Sequence, residues 1–270
     1  MSHLESAALT LGGLDDLARR HSAVHGLDAR AKTLAALAFV VTVVSFRKHE
    51  LSGLLPLALY PVGLIAVGGL PASVLLKRMM LAVPFVLAVG AFNPLLDRAP
   101  LVHVGPYAVS GGWVSFASIM VRFALTVMAA LVLIATTGFA QVCAALEKLG
   151  LPRVFVVQLL FVYRYVFVLV EEAARMVRAH NMRSGGRRRI GLKVFGSFVG
   201  QLLLRTLDRA DRVYRAMLCR GFDGKVRLAD RMEFGLPDGA FVLGCIGFFL
   251  LCRFCNLPHA LGTAILEVLR

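Results

Sequence analysis

Apolar residues run in long unbroken stretches through the first half of the chain. TLAALAFVVTVVSF, residues 33 to 46, is a first candidate span. Its 14 residues rise only about 21 Å. Lys32 and Arg47 at its ends are therefore expected to snorkel and complete the crossing. Residues 51 to 70 form a second span, and Pro71 through Arg78, carrying Lys77 and Arg78, are predicted as a turn. A third span runs from about Leu81 to Leu96, where Pro84 and the Asn93-Pro94 pair are expected to kink or end it. DRAPLVHVGPYAVSGG, residues 97 to 112, is rich in turn formers and nearly neutral, which predicts a loop on the non-cytoplasmic side. The fourth span follows from Trp113 to about Thr137, with Trp113 as an interfacial anchor.

After Thr137 the pattern turns amphipathic. FAQVCAALEKLGLP, residues 139 to 152, reads as a short helix stopped by Gly150 and Pro152. Residues 154 to 170 are strongly apolar but carry Arg164 between Tyr163 and Tyr165, which fits either a further span or a helix lying on the membrane surface. From Gln201 to Gly221, Leu203, Leu207, Ala210, Tyr214 and Met217 recur at helical steps, with arginines and aspartates on the other faces. Asp208 with Arg212 and Asp211 with Arg215 are predicted i, i+4 pairs. A last span at about Pro237 to Cys255 returns the chain to the membrane.

The expected fold is all-α: about five membrane helices interrupted by a cytoplasmic helical insert. In residues, 1–32 form a cytoplasmic N-terminal segment and 33–137 the first four spans. Residues 138–235 form the amphipathic insert, and 236–270 the final span and tail.

Composition supports lipid as the solvent for much of this chain, because 58% hydrophobic and 17% charged residues over 270 are too apolar for one water-soluble core. Charge then adds orientation. Between Glu171 and Glu233 lie 15 Lys and Arg against 7 acids, a local balance of +8, within a total of +14. Such a block faces the cytoplasm, near anionic headgroups or an acidic partner. Nucleic acid is set aside as its partner, since the charges alternate with apolar helical positions tied to membrane spans. The N-terminus and everything after Thr137 are then inside, and Arg47 to Glu50 is the one positive loop on the outer side. No small-residue cleavage site follows the first apolar run, so it reads as a retained span.

The chain carries no recognisable catalytic motif. GRRRIGLK, Gly186 to Lys193, fails as a phosphate-cradling loop: Leu192 separates the second glycine from the lysine, and no Ser or Thr follows to hold magnesium. If ATP drives this protein, another chain binds it. The zinc-protease and nucleophile-elbow motifs are absent too. Cys252 and Cys255 with His259 supply only three ligands at the end of an apolar helix, so they read as buried apolar cysteines beside a loop. The odd count of five Cys implies no disulfide framework. His3, His21, His25 and His103 show no ligand spacing. Arg122, inside the fourth span, calls for snorkelling or a polar neighbour within the bundle.

Three segments together resemble the transmembrane T subunit of energy-coupling-factor transporters, in its cobalt-type CbiQ branch. HGLDARAK, with Asp28, Arg30 and Lys32, is similar to that family's Leu-Asp-Pro-Arg-x-Lys entry into the first span, with Ala29 where Pro is usual. FVYRYVFVLVEEA, with Tyr163 and Arg164, resembles its Tyr-Arg-Tyr segment. YRAMLCRGFDG resembles the second of its two Ala-Arg-Gly-type motifs. The resemblance places the two ATPase-coupling motifs at Met182-Arg183-Ser184 and Cys219-Arg220-Gly221, both departing from Ala-Arg-Gly.

The resemblance implies a non-catalytic subunit of a cobalt importer, multi-pass in the bacterial inner (plasma) membrane. Nickel is the near alternative as cargo. It implies two partner ATPases that bind the ATP and magnesium, a metal-capturing membrane subunit and a small accessory membrane subunit, with no cofactor, metal site or nucleic acid on this chain. The competing class is a membrane-anchored scaffold whose basic helices hold anionic lipid or an acidic partner. The physics suits a docking tip independently of the family: an arginine at a helix C-terminus is favoured by the dipole and presents a planar fork to carboxylates.

Overall fold

The computed structural model describes residues 15, 17–20, 22–46, 52–92, 100–104, 107–184, 191–224 and 234–254. Its elements in chain order are α1 (Ala29–Ser45), two 3-10 turns (Ser52–Leu54 and Pro56–Ala58), α2 (Leu59–Gly68) and α3 (Ala72–Gly90). The strands β1 (Pro100–Val104) and β2 (Tyr107–Ser110) follow, then α4 (Gly111–Thr137), α5 (Phe139–Lys148), α6 (Arg153–Arg183), α7 (Leu192–Cys219) and α8 (Leu236–Phe254). Among the described residues four helices, α3, α4, α6 and α8, are long and apolar enough to cross a membrane. The chain is thus an all-α, polytopic membrane protein with one short β-hairpin.

Two compact units divide the chain. One holds residues 15–142 together with 232–270, and the other holds 143–231 among the described residues.

In the first unit α1 is central, packed by α8 and α4. Its buried face carries Ala31, Ala35 and Ala36, whose small side chains let helices approach closely, and then Phe39 and Val43. Phe39 stacks on Tyr60 at 4.7 Å between centroids, and Phe249 closes the trio at 5.4 Å from Phe39 and 5.2 Å from Tyr60. Such offset and edge-on rings are the favoured aromatic arrangements. The opposite face of α1 exposes Leu37, Val41 and Val44, as a lipid-facing surface does. On α4 the buried stripe is Ser115, Ser118, Leu125, Ala129, Val132 and Thr136, at steps of three, four and seven. Arg253 sits over the Phe46 ring at 4.8 Å and donates to the Ser45 carbonyl at 3.2 Å, a cation at the C-terminus of α1.

Several expectations need correction. Lys77 and Arg78 lie inside α3, which begins at Ala72, so the turn is confined to Gly69–Pro71. Of the two effects expected of Pro84, ending the helix does not occur, since α3 continues past it to Gly90, as helices in lipid tolerate proline. The second span is broken into 3-10 turns and a ten-residue helix. The loop predicted at 97–112 contains the antiparallel hairpin, with His103 opposite Ala108 and Val104 opposite Tyr107. The helix predicted from Gln201 starts nine residues earlier, at Leu192. Arg47, the Asn93-Pro94 pair, Cys255, His3, His21 and His259 fall outside the described residues. Cys252, from the same sequence motif, is buried in the aromatic core.

Candidate functional site

The second unit is built on a hairpin. α6 begins after Pro152 and runs through residues 154 to 170 without a break into the charged stretch beyond Glu171. The change from apolar to charged side chains is a change of surroundings and leaves the backbone helical. α7 returns antiparallel to it. His180 of α6 meets Phe198 edge-on at 5.3 Å. Further along, Glu172 accepts from Arg205 of α7 at 2.6 Å. Glu172 also accepts from Arg175 on its own helix at 2.6 Å, so one carboxylate ties two guanidinium groups across the hairpin. Arg215 pairs with Asp211 at 2.7 Å, as its spacing predicts. Asp208 and Arg212, predicted as a second such pair, form no ion pair here.

Each helix of the hairpin ends in an exposed arginine. Arg183 is the last residue of α6, with Met182 exposed beside it. Ser184 follows as the cap: its N–H donates to the His180 carbonyl at 2.9 Å and its hydroxyl to the Asn181 carbonyl at 3.3 Å. Gly185 and Gly186 lie outside the described residues. Arg220 caps α7 just after the exposed Cys219. Gly221 then takes φ +76°, and its N–H donates to Leu218 while that of Phe222 donates to Met217, each at 3.0 Å. This pair of bonds in a left-handed turn satisfies the last carbonyls of the helix. Because the helices are antiparallel, Arg183 and Arg220 stand at opposite ends of the hairpin, roughly 40 Å apart along α7 at about 1.5 Å per residue.

Tyr163 and Arg164 lie mid-way along the apolar half of α6, remote from both tips. Tyr163 packs edge-on to Phe167 at 5.2 Å, and Arg164 is exposed.

Asp28, Arg30 and Lys32 belong to the first unit, where they form a buried joint. Asp28 is the N-cap of α1, its Oδ1 accepting from the Arg30 N–H at 2.7 Å, with the Arg30 Nε 3.9 Å away. Lys32 is only 3% exposed. Its Nζ donates to the Thr136 carbonyl at 3.1 Å and to the His25 carbonyl at 3.5 Å. The first of these belongs to the last turn of α4, where carbonyls lack intrahelical partners and the dipole favours a cation.

Asp238, in the first turn of α8, was not singled out in the sequence. It accepts from the Asp28 N–H at 2.7 Å and from the Gly235 N–H at 2.8 Å, and is 4% exposed. Its local signal is an acid in a helix first turn after Gly and Pro, and nothing local names its distant partner. One joint thus gathers the starts of α1 and α8 and the end of α4.

Beside it, His25 Nε2 lies 3.2 Å from the Leu17 carbonyl, which can only accept, so Nε2 carries the proton and Nδ1 accepts from the Ser22 hydroxyl at 2.7 Å. Burial pushes the imidazole below its ordinary value of 6.5, with Lys32 and Arg20 acting in the same direction against the Leu17 hydrogen bond. No group of three or more His, Cys, Asp or Glu able to hold a metal ion occurs among the described residues.

Comparison with known proteins covers much of both units. The family described as CbiQ, cobalt transport protein, matches residues 20–230. An uncharacterised protein of Methanocaldococcus jannaschii is 31% identical over 126 residues, 45% of this chain and 42% of that protein. The cobalt transport protein CbiQ of Rhodobacter capsulatus is 30% identical over 150 residues, 54% of this chain and 60% of its own length. The energy-coupling factor transporter transmembrane protein EcfT of Bacillus subtilis is 26% identical over 218 residues, 75% of this chain and 82% of its own length. The chain covers less than two thirds of the length of the first two of these relatives. With 211 of its 270 residues matched in one stretch from 20 to 230, the chain belongs to the CbiQ cobalt transport protein family.

Proposed function

We propose that this chain is the transmembrane coupling subunit of an ATP-driven cobalt importer of the energy-coupling-factor type. It carries no covalent chemistry. Two partner ATPases bind and hydrolyse ATP, and a separate membrane subunit captures the metal, with a small accessory membrane subunit alongside. One observation carries this reading: Arg183 and Arg220 end the two helices of a single cross-tied hairpin at its opposite ends. That is the geometry with which one subunit can engage two ATPases at once.

Each guanidinium extends a planar fork from a helix C-terminus toward carboxylates on one ATPase. When ATP draws the two ATPases together, their grips on the tips move as well. The Glu172–Arg205 tie makes the two helices respond as one body, and the hairpin passes the motion to the membrane and the capture subunit. Cobalt as cargo rests on the names of relatives such as the Rhodobacter CbiQ.

The test is uptake of labelled cobalt and nickel by cells carrying this chain with its neighbouring subunits, with the ATPases intact or inactivated. ATPase-dependent accumulation of cobalt above nickel is expected. Uptake indifferent to the ATPases would remove the coupling role, and a nickel preference would replace the cargo.

A further inference from the structure

The α6–α7 hairpin holds two adjoining cavities, the larger of which reaches Phe222 in the turn after Arg220 without including either tip arginine. The larger, about 540 Å³, is an apolar groove with Phe161, Val162, Tyr165, Val213, Tyr214 and Met217 in its walls. Its volume falls within the roughly 300–1,000 Å³ of sites that enclose small organic ligands. The smaller, about 310 Å³, is a cup lined by Arg205, Arg209 and Arg212 with Val168 and Leu169, and by one carboxylate, Glu172, which is paired with Arg205. Val168, Leu169, Thr206 and Arg209 line both, so the groove opens directly into the cup.

The three arginines recur at i, i+4 and i+7 along one face of α7, so their forks converge on one region. Arg205 is engaged by Glu172, whereas Arg209 and Arg212 form no ion pair among the described residues. Two uncompensated guanidinium groups at the mouth of an apolar groove favour an anion, and a phosphodiester suits their bidentate geometry. Free phosphate would answer the cup and leave the groove empty. A neutral acyl chain would fill the groove and leave the arginines unmet.

We propose that the hairpin binds one anionic phospholipid, with its phosphate on Arg209 and Arg212 and an acyl chain along the groove. The lipid is then a fixed part of the lever, filling the space between its helices. This inference stands apart from the ATPase reading, since it uses neither Arg183 nor Arg220.

The experiment is native mass spectrometry of the full chain in detergent, offered phosphatidylglycerol and phosphatidylcholine with identical acyl chains. The wild-type protein should retain phosphatidylglycerol preferentially. Arg209→Gln with Arg212→Gln, both on exposed side chains, should weaken that retention by about tenfold or more through lost charge-assisted contacts. Val213→Trp, which fills the groove, should weaken retention of both lipids. Arg153→Gln removes the positive charge paired with Glu147 at the start of α6, about 22 Å along the helix from Val168 of the cup, and should change nothing.

Equal retention of the two lipids by the wild type, or an Arg209/Arg212 variant that holds phosphatidylglycerol normally, would overturn the proposal. So would displacement of the lipid by millimolar inorganic phosphate, or an effect of Arg153→Gln as large as that of the double variant. Loss of the lipid when the metal-capturing subunit assembles would assign the groove to a protein partner instead.

Discussion

The backbone N–H of Asp28 donates to the carboxylate of Asp238 at 2.7 Å, joining positions 210 residues apart in the sequence. Through this bond the first residues of α1 and α8 are fixed to each other, and Lys32, one turn further along α1, reaches the end of α4. All three side chains are buried. The two carboxylates and the ammonium offset one another where each alone would be costly.

Asp238→Asn replaces one of two accepting oxygens by a donor, facing either the Asp28 or the Gly235 N–H. A loss of about 1–3 kcal/mol is expected from the unsatisfied buried group. Lys32→Met leaves the Thr136 and His25 carbonyls without their donor beside two buried carboxylates and should cost about 1–3 kcal/mol. Thermal unfolding in detergent measures both, and the double variant should fall short of the sum of the two, because the groups act together. Additive effects, or a midpoint for Asp238→Asn equal to wild type, would show that the joint does not hold the helices.

His25 supplies a pH dependence of defined sign. Its folded value lies below the ordinary 6.5, so the unfolded chain takes up the proton first as pH falls. Stability from this group is present above that value and is lost as the pH drops through it toward the folded value. The unfolding midpoint should therefore decline between about pH 7 and pH 5, and His25→Asn should flatten the decline. A midpoint in the wild type that rises on acidification would contradict the buried neutral imidazole.

Gly221→Ala separates backbone position from contact. A Cβ at Gly221 meets no atom within 4 Å, and neither does one at Gly150, which also has a positive φ of 112°. Both substitutions are strained by about 1–2 kcal/mol through the backbone alone. Only the first displaces Arg220. Gly221→Ala should lower co-purification of the ATPases several-fold and Gly150→Ala should leave it near wild type. Equal losses would mean that the tip geometry is irrelevant to docking.

Much of this was legible in the sequence because lipid imposes a simple rule on composition. The final helix and the Gly111–Thr137 helix announce themselves as apolar runs with few charges. The turn after Arg220 follows from Gly221. The rest was hidden for physical reasons. Lys77 and Arg78 suggested a turn, yet charged side chains near a helix start can leave the backbone helical while their heads find water. Gly196 and Gly200 obscured the first turns of α7, since each lowers helix propensity by about 1 kcal/mol without by itself breaking the helix. The strand alternation in PLVHV and YAVS was masked by the Gly, Pro and Ser that also mark loops. Asp238 and Glu172 carry no local signal of their distant partners, because a contact across 210 or 33 residues is a property of the folded chain.

The coupling role stands or falls with Arg220. The direct measurement is co-purification of the two ATPases from detergent-solubilised membranes, together with cobalt uptake, for wild type, Arg183→Glu and Arg220→Glu. Either reversed tip places a carboxylate against the carboxylates expected on its ATPase, so assembly and uptake should fall at least about tenfold while the chain remains in the membrane. An Arg220→Glu protein that retains both ATPases and imports cobalt at the wild-type rate would contradict the account.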